Sequence, residues 1–216
     1  FIKGFRALAP ALEYRVWSAL DGELPSDLNE CDAWLITGSR HDAYSDIPWI
    51  LALRDWIRRA HDANVKLAGI CFGHQVIAQA LGGEVVKSTK GWGLGVSVHP
   101  MQEAKPWMQP GLETIRILAS HQDQVAQLPP GATLLAGNDF CPNFMFLQGD
   151  HIVAIQGHPE FSVEYNRALI ERRRDRLPDE HYQSSLSSLE GEVDSATMMQ
   201  WLLQFLGMLP VGPAVR

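Results

Sequence analysis

The segment Gly69-Ile70-Cys71-Phe72-Gly73 sets a thiol between two glycines at G-x-C-x-G spacing. It follows the apolar run Val65 to Ile70, which reads as a strand, and it precedes a helix expected from about Gly73 to Leu81, closed by Gly82-Gly83. A nucleophile on so sharp a strand-to-helix turn has a strained backbone and close neighbours, so glycine two places before and two places after removes Cβ collisions. The thiol would stand at the helix N-terminus, where unpaired N–H groups and partial positive charge favour the reactive thiolate. With 18 glycines in 216 residues, a given cysteine acquires both by chance roughly 1% of the time. Cys31 and Cys141 lack this setting and read as small core hydrophobes.

A thiol of this kind needs a base. Of the eight histidines, His41, His61, His99 and His151 fall in loops or at strand edges and read as solvated. His158 differs, because it follows the apolar strand His151 to Gln156 and so lies at the carboxyl edge of a parallel sheet, where Cys71 would also lie. Pro159 disfavours helical geometry at His158, and an extended chain would point residues 158 and 160 the same way. Glu160 could then accept from one ring nitrogen and orient the other towards Cys71. Cys71, His158 and Glu160 are therefore the candidate nucleophile, acid–base and orienter.

The elements that must position them alternate as in an α/β protein. An opening helical register of Phe1, Phe5, Leu8 and Leu12 is followed by an expected short strand from Glu13 to Trp17. A second strand, Ala33 to Ile36, ends at Thr37-Gly38-Ser39, and Trp49 to Ala60 reads as a helix with Ile50, Leu53, Trp56 and Ile57 on one face. Beyond Gly83 the rhythm changes to strands at 84–87, 94–98, 114–119, 133–136, 144–148 and 151–156, expected to extend the sheet in partly antiparallel fashion. Two helices close the chain, at about 163–176 and 194–208, and the serine-rich stretch Gln183 to Ser188 reads as a loop.

Composition narrows the function classes. The 216 residues, 46% hydrophobic and 20% charged, suit one domain with one sizeable core. The formal charge of −7 gives no overall positive field for nucleic acid or an anionic membrane. The longest strongly apolar stretch, Met198 to Leu209, is interrupted and falls short of the ~20 residues of a membrane helix. No CxxC pair, metal-ligand cluster or G-x-x-x-x-G-K-[ST] loop is present, so no metal or cofactor is expected. Free thiols and no export signal lead to a cytoplasmic expectation.

Gly69-Ile70-Cys71-Phe72-Gly73-His74-Gln75, together with Gln156-Gly157-His158-Pro159-Glu160-Phe161, resembles the class I (triad-type) glutamine amidotransferase family, and the likeness in element order runs from about Trp34 to Phe161. The resemblance implies a single domain over residues 1–216, a three-layer, flavodoxin-like α/β fold with a mixed, mostly parallel sheet. It also implies hydrolysis of the glutamine side-chain amide through a γ-glutamyl thioester, releasing ammonia. Cys71 matches the family nucleophile, His158 its base and acid, and Glu160 the orienter. Gly38 and Phe72 match the residues whose backbone N–H groups form the oxyanion hole, and Gln75 and His121 match substrate-binding positions. His121 also has the plain reading of a polar loop residue. The family sheet starts with a strand before the first helix, so the expectation is that this first strand is missing from the N-terminus.

The loop Thr37-Gly38-Ser39, continuing as Arg40 to Asp46, lacks the consecutive glycines of many family members and is similar to stand-alone ones, both those like the glutaminase part of GMP synthase and the γ-glutamyl peptidases. Three functions stay open at this point: a glutaminase passing ammonia to a separate synthase subunit, a γ-glutamyl peptide hydrolase, and a catalytically silent binding module, against which the intact triad argues. An open leaving-group pocket, lined by Tyr44, Trp49 or Trp92, would favour the second. The basic run Arg172 to Arg176 reads as a solvated face or a docking patch, and the last helix as core or as a homodimer surface.

Overall fold

The computed structural model describes residues 1–212. In chain order the elements are α1 (Ile2–Leu8), β1 (Trp34–Ile36), α2 (Pro48–Asp62), β2 (Leu67–Ile70), α3 (Phe72–Ala80), β3 (Glu84–Lys87), β4 (Gly93–Pro100), β5 (Thr114–His121), β6 (Asp123–Gln127), β7 (Ala132–Ala136), β8 (Met145–Gln148), β9 (Ile152–Ile155), α4 (Val163–Glu171), α5 (Asp179–Ser188) and α6 (Ser195–Phe205). The main sheet runs in the order β1-β2-β9-β8-β7. β1, β2 and β9 pair in parallel, while β8 is antiparallel to both β9 and β7.

The period-2 alternation of buried strands separates two cores across this sheet. Ala68, Ile70, Val153, Ile155, Met145 and Leu147 face one side, where they pack with Phe5 of α1 and with Met198, Trp201, Leu202 and Phe205 of α6. Leu67, Ile152, Ala154 and Phe146 face the other, where Ile50, Leu53, Trp56 and Ile57 of α2 and Val76 and Ile77 of α3 cover them. Each fully buried aliphatic side chain contributes roughly 1.5–3 kcal/mol. The last helix is thus core, and the three layers stand as expected.

Several local expectations are overturned. Residues 13–17 form no strand, because no neighbour offers them a ladder; Trp17 instead lays its ring against Trp34 at 5.1 Å. Of the strands expected beyond Gly83, β7, β8 and β9 join the main sheet, whereas β3 pairs with β6 and β4 with β5 as two separate ribbons. β6 was not foreseen: one buried apolar residue opposite β3, Val125 across from Val85, offers no period for a sequence reader to detect.

The expected helix at 163–176 stops at Glu171, and after a 3-10 turn at Arg174–Arg176 the chain is extended at Leu177 (φ −117°, ψ 141°), as the following Pro178 demands. α5 then begins with Asp179 and Glu180 in its first turn, so the serine stretch is helix rather than loop. Its serines are satisfied within the helix, with Ser184 and Ser185 Oγ donating to the His181 carbonyl and Ser188 Oγ to that of Ser185.

Candidate active site

The elbow is built by steric necessity. Cys71 caps α3 with φ 54° and ψ −101°, a left-handed conformation for a non-glycine residue. A Cβ on Gly69 would lie 2.4 Å from Ile77 Cδ1 and 2.7 Å from the Gly73 backbone, and one on Gly73 would lie 2.2 Å from the Ile36 carbonyl oxygen. Both glycines are therefore needed for α3 to rise this close to β1 and β2. Register does the rest: Ile70 pairs with Ile155, and the Cys71 N–H donates to the Ile155 carbonyl at 2.9 Å. The thiol thus sits on the same sheet edge as the segment leading to His158.

His158 is 5% exposed. Its backbone N–H donates to Leu118 O at 2.8 Å, its ring stacks on Phe161 at 3.9 Å and 7°, and its Nδ1 lies 2.8 Å from Glu160 Oε1. The shared direction of residues 158 and 160 comes from a turn, not from extended chain: Phe161 N–H donates to His158 O at 3.3 Å, with Pro159 in the second position, where its fixed φ belongs. Burial works against a charged His158 ring. The Cys71 sulfur, by charge and hydrogen bond, and then the Glu160 carboxylate overcome it and raise the imidazole to about 10.

Gly38 closes the third side, since a Cβ there would stand 3.2 Å from His158 Cε1 and 3.7 Å from Cys71 Cβ. The loop beyond it is clamped to α2 by the buried Arg54, whose Nε donates to Ala43 O at 3.2 Å and whose Nη2 donates to Ser45 O at 3.4 Å. Phe72 follows the thiol and packs its ring on Trp49 at 5.5 Å. The structure therefore brings together Cys71, His158, Glu160, Gly38 and Phe72.

The two expected substrate-binding residues are placed differently. Gln75 is buried, and its Nε2 donates to Asp123 O at 2.8 Å and to Gln156 Oε1 at 3.1 Å, so its amide protons are engaged within the protein. His121 is buried beside His158, with Nδ1 3.2 Å from Asp123 O; desolvation lowers it to about 4 and keeps it neutral. Of the aromatic residues proposed as pocket walls, Trp49 lies against the elbow and Tyr44 is exposed, while Trp92, capped by Arg173 at 4.3 Å, lines a cleft of about 230 Å³ with Phe140 and Ser184.

Sequence reasoning assigned no role to Gln156 or His74, both with no exposed surface. The signal for Gln156 was its place directly after an all-apolar strand, two residues before His158. His74 Nε2 lies 2.9 Å from Asn143 O, and burial lowers its ring to about 3. His99 and His151, read as solvated, are buried; His99 stacks on Phe144 at 3.5 Å. Among the described residues no three His, Cys, Asp or Glu side chains gather as a metal site would require, and no helix is long and apolar enough to cross a membrane.

Residues 20–174 match the family model described as glutamine amidotransferase class-I. Gamma-glutamyl peptidase 3 of Arabidopsis thaliana is 34% identical over 74% of this chain and 68% of its own length, and gamma-glutamyl peptidase 4 of the same plant is 41% identical over 71% and 64%. The chain thus spans about two thirds of the length of these relatives. Among solved structures, a glutamine amidotransferase from Thermotoga maritima superposes with a TM-score of 0.75 at 21% identity, covering 95% of this chain and 89% of that one. At that identity the likeness speaks for the fold.

Proposed function

This chain belongs to the class I glutamine amidotransferase family, and from that premise we propose that it is a cysteine-dependent hydrolase of γ-glutamyl amide bonds whose substrate is a γ-glutamyl peptide rather than free glutamine. The observation that carries the reading is the 2.8 Å contact of His158 Nδ1 with Glu160 at the edge where Cys71 caps α3 in a left-handed conformation. The names of the relatives at 34% and 41% identity support the peptide over glutamine.

The resting pair is Cys71 thiolate and His158 imidazolium. The thiolate attacks the γ-carbonyl carbon, and the backbone N–H groups of Gly38 and Phe72 receive the developing oxyanion, each donor contributing about 3 kcal/mol. Collapse of the tetrahedral intermediate expels the amine, which takes its proton from His158 Nε2. Acylation removes the sulfur's negative charge, the leading influence that holds His158 up against burial. The neutral ring then serves as base for the water that cleaves the thioester, and regeneration of the thiolate restores the imidazolium.

The test is amine release from γ-glutamyl dipeptides and glutathione beside ammonia release from glutamine, with Cys71→Ala as blank. Peptide cleavage with glutamine nearly inert is the expected result. Glutamine turnover with inert peptides would overturn the substrate assignment in favour of a glutaminase feeding a separate ammonia-accepting subunit. Activity that survives in Cys71→Ala would overturn the mechanism.

A further inference from the structure

A line of buried amides runs into the elbow from behind. Gln75 Nε2 donates to Asp123 O at 2.8 Å and to Gln156 Oε1 at 3.1 Å, and Gln156 Nε2 lies 3.6 Å from Cys71 Sγ, a hydrogen-bonding distance for an atom as large as sulfur. Gln75 is 4% exposed and Gln156 is fully buried, so water cannot substitute for either amide.

The direction of this line is not free. A backbone carbonyl only accepts, so Gln75 must turn its NH₂ group towards Asp123. The second proton of that same group reaches Gln156, which must therefore present its oxygen to Gln75. The Gln156 NH₂ is left facing the sulfur. An amide flip at Gln156 would set its NH₂ against the NH₂ of Gln75 and its oxygen against the sulfur, leaving two buried groups in conflict.

We infer that Gln156 is a third partner of the Cys71 sulfur, an N–H donor that stabilises the thiolate, and that Gln75 is a positioning residue which holds Gln156 in the donating orientation. This gives the Gln75 amide protons a task within the protein. The thiolate would then be held from two sides, by His158 and by Gln156, with its lone pairs directed before substrate arrives. The inference rests on Cys71 being the nucleophile but not on which γ-glutamyl compound is cleaved.

The experiment is the rate of alkylation by iodoacetamide as a function of pH, with Cys71→Ala subtracting reaction at Cys31 and Cys141. Gln156→Glu keeps the shape and the acceptor for Gln75 but replaces the donor. A hydrogen bond to a charged group is strong enough that its alkylation midpoint should rise by about one pH unit, with an about tenfold slower rate at pH values below the wild-type midpoint. Gln75→Leu leaves Gln156 in place but undirected, and should shift the midpoint the same way by a smaller amount, about threefold in rate. A midpoint unchanged in a folded Gln156→Glu overturns the inference, even where turnover falls. Should that variant fail to fold, an unchanged midpoint in Gln75→Leu overturns it equally. Because alkylation reports the thiol directly, inactivity of the wild type on every γ-glutamyl peptide would defeat the substrate reading and leave this one standing.

Discussion

The backbone N–H of Cys71 donates to the Ile155 carbonyl at 2.9 Å, so the parallel ladder of β2 and β9 continues one residue past the end of β2. This bond lays the thiol beside Gln156, two residues before His158. Everything in the site depends on that register, and a slip of one residue would send each of these side chains to the opposite face of the sheet.

Replacement of Cys71 by alanine or serine is expected to lower turnover of the best γ-glutamyl substrate by on the order of 10⁴-fold or more, since the covalent step is lost. Circular dichroism should show an unchanged fold.

The pH profile follows from His158. A ring raised to about 10 stays protonated, and so able to donate to the leaving amine, up to that pH; activity should fall as pH rises through about 10 rather than through 6.5. Glu160→Gln removes one of the partners that raise the ring. Its alkaline limb should move to lower pH, with kcat at pH 8 reduced roughly 10²- to 10⁴-fold. An alkaline limb left in place by this substitution would show that Glu160 does not act through His158.

Two glycines should separate activity from stability. Gly73→Ala drives a Cβ into the Ile36 carbonyl and is expected to destabilise the protein by about 3 kcal/mol or more, read as a lowered Tm. Gly38→Ala meets the edge of the His158 ring at 3.2 Å, a side chain rather than backbone. It should cost about tenfold in kcat with Tm nearly unchanged, because the cost falls on the placement of the ring.

Acid should unfold the protein through its buried histidines. Burial lowers His74 and His99 to about 3 and His121 to about 4, from 6.5. Below pH 6.5 the unfolded chain therefore binds protons that the native rings refuse, and stability falls as pH drops from about 6.5 towards 4. The slope is about 1.4 kcal/mol per pH unit for each ring, summing to roughly 4 for the three. His99→Phe keeps a ring stacked on Phe144 and should reduce that slope by about a third in denaturant titrations at pH 4.5 to 6.5.

Legibility in the sequence tracked the locality of the cause. Gly69 answers to Ile77 and to the Gly73 backbone of its own turn, and Pro159 sets the turn that joins His158 to Glu160; both are written within a few residues of the atoms concerned, whereas the need for Gly73 comes from the Ile36 carbonyl of β1. The apolar face of α2 was legible for the same reason, since helical period is a local property. β6, with Val125 as its partner to Val85, and α5, whose serines bond back to its own turns, lack a period and emerged only with their neighbours in place. The direction of the Gln75 and Gln156 amides was hidden for a deeper reason. It is decided by the carbonyl of Asp123, 48 residues from Gln75, and by the β2–β9 register that sets Gln156 beside Cys71, 85 residues away. An amide can face either way in an isolated chain. Only packing that removes water and offers a single acceptor makes one orientation cheaper than the other.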